Sequence, residues 1–362
     1  MTTLFEVTAV DRDVYQQRLR SFLPPKLIDV HSHIYLIQTQ AKQEVGECLR
    51  RVTWPQRVAL DNSIEDLWET YRLMFPDKTV MPLLFGVANS LRDDLDGVND
   101  YVRQCAQKYR APALIYADPK WNETEFEERI TSGHFLGAKV YLTRSDPKIA
   151  ENDIQIYDFL PRHQLKILDK HGWIAMLHIP RKGRLRDPLN LTQMMEIEKN
   201  YSGVKLIIAH VGRAYCPEDI GNAFEVLAET RNMRFEISAN TSAENFERLI
   251  RSVGPRRILF GSDLPVLRMR MRRVCEEGWY VNVVPKGLYG DVSADPHMRE
   301  TEGDDAARLT FFLYEEIDAF RRAALKTGLK AKDIEGVFYR NSAEMLCEAG
   351  MPESYLNTKE GK

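Results

Sequence analysis

Apolar residues gather in eight short runs along the chain, at 27–30, 80–88, 111–117, 136–142, 174–179, 204–211, 233–239 and 257–263. Between the runs, apolar positions recur every three or four residues. Runs that are apolar throughout are the mark of parallel strands buried on both faces, and the helical spacing between them supplies the crossovers such strands need. The spacing predicts helices over 63–74, 93–109, 123–130, 156–171, 189–200, 218–230 and 243–252, with two more, 305–326 and 332–349, after the last strand. A helix over 11–22, stopped by Pro24-Pro25, is expected to act as a lid on the closed end. Eight alternating units predict an α/β fold, a (β/α)8 TIM barrel, as one domain over 1–362 with its core at about 27–348. Two long segments, 35–62 after strand one and 264–305 after strand eight, are expected over the catalytic end, the second without clear periodicity. An open doubly wound sheet would carry a glycine-rich phosphate turn after its first strand, and histidines stand there instead.

Polar residues interrupt the apolar runs near their carboxyl ends. His31 and His33 end strand one, Lys139 lies on strand four, His178 ends strand five, His210 strand six and Asp263 strand eight. Side chains two apart on a strand share a face, so His31 and His33 project together, and Asp29 is expected to share that face one step deeper. Two imidazoles from one element are half of a typical zinc sphere, and several ionisable groups at one barrel end suggest an ion.

Charge and composition act mainly by exclusion. The formal net charge is −3 with no basic stripe, which argues against nucleic acid or an anionic membrane surface and leaves a small molecule as the expected partner. No apolar stretch approaches the roughly 20 residues that span a bilayer, and the first residues do not read as a leader. The five cysteines are far apart with no Cys-x-x-Cys pair, so a reduced, cytoplasmic setting is expected. Association into a homo-oligomer is left open.

The order His-x-His, Lys, His, His, Asp on successive strands resembles the amidohydrolase superfamily. The stretches Leu27-Ile-Asp-Val-His-Ser-His33, Gly137-Ala-Lys-Val-Tyr141, Ile208-Ala-His-Val-Gly212 and Phe260-Gly-Ser-Asp-Leu-Pro265 resemble its amidohydrolase-related branch of metal-dependent hydrolases and decarboxylases, over about 27–348. The resemblance implies that His31, His33, His178 and Asp263 bind one divalent ion, zinc in the first instance. It also implies that Asp263 handles the protons of the attacking water, and that His210 binds a second ion or holds the substrate's polarised oxygen. Two ions are implied if Lys139 is carboxylated; unmodified, its charge opposes a metal.

The expected reaction is hydrolysis of a small lactone, ester or amide carrying an anionic group, and the alternative is non-oxidative decarboxylation of an aromatic or enoic carboxylate. Arginine's planar fork suits a carboxylate, so Arg144, Arg213 and Arg268, with the rest of the 268–273 run, are candidates for substrate binding. Arg181, Arg184 and Arg186 share that loop setting, and His297 could reach the site from the last long segment. On strand seven, alternation alone does not say whether Glu236 and Ser238 or Phe235, Ile237 and Ala239 face the interior. His134, His163 and His171 are read as structural.

Overall fold

The computed structural model describes residues 4–42, 50 and 54–357, so parts of the first long segment lie outside the described residues. Strands β1 (Lys26–His33) and β2 (Thr79–Phe85) pair in parallel. Six more follow in chain order, each parallel to the last: β3 (Ile115–Tyr116), β4 (Gly137–Val140), β5 (Ile174–Leu177), β6 (Lys205–Ile208), β7 (Arg234–Glu236) and β8 (Ile258–Leu259). Two seams join these groups. Leu84 N–H donates to Pro112 O and Leu114 N–H to Leu84 O, both at 2.9 Å, linking β2 to β3. Val30 N–H donates to Phe260 O at 3.0 Å, Asp263 N–H to His31 O at 2.7 Å and His33 N–H to Leu264 O at 2.9 Å, linking β1 to β8. The eight strands therefore run round a ring, the barrel expected from the pattern.

Alternation sorts the strand residues into two layers. Ile28, Val30, Leu83, Phe85, Leu114, Ile174, Met176, Ile207 and Leu259 fill the barrel, while Leu84, Ala138, Val140, Leu177, Ile208, Phe235 and Phe260 turn outward to the helices. The helices are amphipathic for that contact. Over Ile64–Met74, Ile64, Leu67, Tyr71 and Met74 are buried on one stripe, and Ser63 and Asp66 cap the first turn reciprocally, each side chain accepting from the other's backbone N–H at 3.0 Å. Gly137 is obligatory: at φ +142°, a Cβ would stand 2.0 Å from Ile174 O, so a side chain would break the β4–β5 pairing.

Three expectations are corrected. Asp29 does not share the face of His31: Asp29 pairs with Pro82 and Ser32 with Leu84, so β1 spends three steps where β2 spends two. This bulge resets the alternation, turning His31 and His33 inward while Asp29 points outward and accepts from Tyr71 Oη at 2.7 Å and from Ser262. The N-terminal helix, Ala9–Val14 continuing through Tyr15–Leu19, is not the lid of the closed end. It runs down the flank, where Arg270 grips Asp11 at 2.6 and 2.8 Å and Tyr15 lies 5.9 Å from Tyr314. The plug is the helix Asn341–Glu348, whose Ala343, Met345 and Leu346 share one buried apolar cluster with Ile28, Leu136 and Ile174.

The third correction concerns the last long segment, which is ordered. β9 (Arg272–Glu276) and β10 (Trp279–Pro285) form an antiparallel hairpin, and β11 (Met298–Thr301) adds in parallel to β10. Glu277 and Gly278 turn the hairpin with φ of 52° and 77°, the left-handed pair that a two-residue turn demands. This flap meets the segment after β1, since Arg57 Nη1 donates to Tyr289 O and Asp291 O at 2.8 Å. The flap is also bonded to the barrel by a disulfide between Cys216 and Cys275, with Cα atoms 5.8 Å apart. Cys105 and Cys347 are free, and Cys48 lies outside the described residues. The pairing removes the ground on which cysteine usage pointed to a reducing compartment. Among the described residues no helix is long and apolar enough to cross a membrane.

Candidate metal centre

His31 and His33 enter the barrel from the bulge of β1, and Asp263 meets them from the end of β8. His31 Nε2 and His33 Nε2 stand 3.2 Å apart, with Asp263 Oδ1 3.2 Å from His33 Nε2 and 3.4 Å from His31 Nε2. Ligand atoms about 2.0–2.2 Å from one tetrahedral zinc are separated by about 3.3–3.6 Å, so the three atoms already have the spacing of three corners around an ion. The backbone around the site is bent. Asp263, His210 and Ala239 have φ of 48°, 56° and 54°, left-handed values at the ends of β8, β6 and β7.

Glu236 decides which ring nitrogens are free. Its carboxylate faces the barrel with no solvent exposure, lying 2.9 Å from His31 Nδ1 and accepting from His210 N–H and Ser238 N–H, each at 2.6 Å. His31 Nδ1–H donating to Glu236 leaves its Nε2 as a lone pair aimed at the trio. His33 Nδ1–H likewise donates to Gly86 O at 3.3 Å. The approach of Glu236 to His31 depends on Gly261, where a Cβ would stand 2.7 Å from Glu236 Oε2 and 2.8 Å from His31 Cβ. The phase of strand seven, undecided by alternation, thus places Glu236 and Ser238 inside.

His178 sits at the end of β5 on the same cavity, its ring 5.0 Å from His210 and 4.6 Å from Tyr141. It lies outside the tight trio, and its buried Nδ1 has no partner among the described residues. His210 stacks on His31 at 4.9 Å, with Nδ1 engaged by Ser238 Oγ at 2.8 Å, which leaves Nε2 for the cavity. Lys139 is 2% exposed, its Nζ 3.5 Å from His31 Nε2 and 4.9 Å above the Phe85 ring.

The electrostatics favour neutral imidazoles and an ionised carboxylate. Burial, then the neighbouring cationic groups, holds His31 and His178 well below the usual histidine range, and burial lowers His210 as well. Burial pushes Asp263 up, but the His33 hydrogen bond and the charges of His31 and His210, which act when those rings are protonated, outweigh it and bring the carboxyl to about 2. Burial pulls Lys139 down to about 8 against the attraction of Asp263 and Glu236.

These groups floor a cavity of about 160 Å³ walled by Tyr35, Tyr116, Tyr141 and Tyr215 and by the amides of Gln40, Gln56 and Asn89. Both long segments contribute to it, through Tyr35 and Leu60 on one side and Pro265 and Val266 on the other. The four residues expected to bind substrate are not in its lining. Arg144 is buried against Asp118, Arg268 lies beneath the Phe5 ring at 5.6 Å and donates to Thr70 Oγ1 at 3.4 Å, and Arg213 donates to Pro180 O at 2.6 Å. His297 is stacked on Tyr280 at 3.9 Å, with Trp279 at 4.5 Å. Arg181, Arg184 and Arg270 are paired with Asp187, Asp219 and Asp11.

The fold has relatives among solved structures. An amidohydrolase from Burkholderia multivorans with bound zinc is 12% identical with a TM-score of 0.53, covering 90% of this chain and 99% of that one. A dihydroxybenzoic acid decarboxylase from Polaromonas, with manganese and 2-nitroresorcinol bound, is 15% identical with a TM-score of 0.51, covering 90% and 97%. A 2,6-dihydroxybenzoate decarboxylase from Rhizobium is 13% identical with a TM-score of 0.51, covering 91% and 100%. At these identities the likeness concerns the fold. No curated protein matches the sequence. The family model described as Amidohydrolase matches residues 28–346, nearly the whole barrel from β1 to its plug, and the chain belongs to that family of enzymes.

Proposed function

We propose that His31, His33, His178 and Asp263 hold one divalent ion, zinc in the first instance, and that the enzyme hydrolyses a small lactone, ester or amide. The observation that carries this reading is the convergence of two imidazole Nε2 atoms and one carboxylate oxygen on the cavity floor. The unpartnered, buried Nδ1 of His178 on the same floor agrees with a missing ligand. When bound, such an ion supplies Lewis acidity to a carbonyl and to water.

The chain's own residues divide the remaining work. Asp263 is ionised and its side chain is 14% exposed, so it can accept a proton from attacking water and return it to the leaving group, whereas Glu236 is sealed from substrate and serves to hold His31. His210 offers Nε2 to the substrate's oxygen or to a second ion. Lys139 bears on that choice: a cation 3.5 Å from His31 Nε2 opposes an adjacent metal, and burial favours the neutral amine, the form able to take up CO₂ as a carbamate. One ion is the preferred reading, and a second requires that modification. The anionic end of the substrate is assigned to the Tyr215 wall, because Arg273 lies 4.6 Å and Arg184 5.4 Å from that ring and, among the described residues, only Arg184 of the two is paired with a carboxylate.

A second reading, decarboxylation of an aromatic acid, is favoured by the four tyrosines of the cavity wall, which suit a flat ring. Two of the similar structures are decarboxylases. Product analysis in ¹⁸O-labelled water separates the readings: label in the product acid supports hydrolysis, and CO₂ release without label supports decarboxylation. His178→Ala should lose stoichiometric metal on dialysis, and full retention would remove it from the ligand set. Asp263→Asn should lower turnover by about 10² to 10⁴ while keeping much of the metal.

A further inference from the structure

The proposed chemistry makes no use of the Cys216–Cys275 bond, yet that bond ends one residue from the cavity. Cys216 directly follows Tyr215, a wall residue, and is fully buried; Cys275 lies on β9 and is exposed. The flap presses on the same wall. Tyr280 of β10 meets Tyr215 edge-on at 5.0 Å, and Arg273 of β9 lies over the Tyr215, Tyr280 and Phe312 rings at 4.5–4.6 Å.

Seating the flap carries a cost, because it buries a guanidinium whose donors are not all used. Arg273 is 8% exposed, donates to Asn282 Oδ1 at 2.9 Å and to Ala239 O, and has a buried Nη2 with no partner among the described residues. It forms no ion pair with a carboxylate among them. A buried, incompletely satisfied guanidinium favours lifting the flap so that water can reach it. The disulfide opposes that motion.

We propose that Cys216–Cys275 is a thiol–disulfide exchange site through which a dithiol reductant controls access to the cavity. A thiolate of the reductant attacks the exposed Cys275 Sγ; the Cys216–Cys275 bond breaks and Cys216 leaves as a thiolate that takes up a proton. The second thiol of the reductant then attacks the mixed disulfide at the reductant's own sulfur, releasing Cys275 as a thiol and the reductant as its disulfide. Two electrons pass to the protein sulfurs, β9 to β11 lose their tether, and the Tyr215 wall is uncovered. The inference rests on the cavity being the substrate site, and the test reads the flap and the metal separately.

The experiment compares full-length protein oxidised with glutathione disulfide and the same protein reduced with dithiothreitol. Alkylation and peptide mass spectrometry should show Cys216 and Cys275 blocked in the first form and labelled in the second. Hydrogen exchange across 272–301 should accelerate at least tenfold on reduction, and carbethoxylation of His178 and His210 by diethylpyrocarbonate in metal-free protein should accelerate several-fold. The exposed position makes Cys275→Ser the variant expected to fold, and it should behave as the reduced form under both conditions. Failure to form the bond, or equal exchange and equal histidine modification in both forms, overturns the proposal. Metal stoichiometry should be the same in both forms; a protein that binds no metal but changes its exchange on reduction counts against the metal-centre reading and not against the flap.

Discussion

Glu236 shows how much one side chain can settle. It accepts from three donors at once, so replacing one oxygen by an amide sets an N–H against another N–H whichever way the amide turns. Glu236→Gln should therefore loosen metal about 10- to 100-fold, read by competition with a chelator, with little change in secondary structure. Glu316 is a second buried carboxyl, accepting from Ala239 N–H at 2.8 Å with its other oxygen unpartnered among the described residues. Burial, then the charge of Glu236, raises it well above the usual carboxylate range. The native state then holds a proton that the unfolded chain releases above its ordinary value of 4.5, so stability falls as pH rises through that window. Glu316→Gln should remove a slope of up to about 1.4 kcal/mol per pH unit, with parent and variant converging below that value; parallel curves in denaturant titrations at pH 5 to 8 would contradict it. The histidines, Lys139 and Asp263 were legible in the sequence because each breaks an apolar run near its end. The arginines were not, because Asp118, Asp219 and Asp11 lie 26, 35 and 259 residues away in the chain and no local pattern joins them.

At the scale of elements, strand positions were readable from apolar runs, but the phase of the residues within them was not always so. The bulge in β1 adds one residue between Asp29 and Ser32, and a period of two carries no sign of it. The hairpin of β9 and β10 did leave a trace, a Glu-Gly pair between segments of five and seven residues, but Tyr280, Asn282 and Val284 put an amide on the buried face and blurred the alternation. Close approach of β8 to β1 and β7 gives the sharpest test at this scale. Gly261→Ala adds one carbon where Glu236 and His31 already touch, so it should lower stability by about 1–3 kcal/mol and abolish tight metal binding. A melting temperature and metal content equal to the parent's would show that β8 can yield without disturbing the floor.

For the whole molecule, the ring and its plug are interdependent. Ile28, Leu136 and Ile174 are covered from below by residues 343–351, the last part of the family match and beyond. A chain ended after Arg340 should expose that floor, binding 8-anilinonaphthalenesulfonate and losing near-ultraviolet dichroism while keeping much of its helix. A sharp, cooperative melt with an unchanged near-ultraviolet spectrum would show the plug to be dispensable. The seam between β1 and β8 matters in time as well as in space. His33 and Asp263 are 230 residues apart, and at about 5–20 residues per second a ribosome needs roughly 10–50 seconds to make the stretch between them. Throughout that interval the first strand has its histidines and an unpaired edge but no eighth strand to meet. The proposed ligands are complete only when the ring is closed, so a metal added during synthesis is expected to bind finished barrels and pass over partial ones.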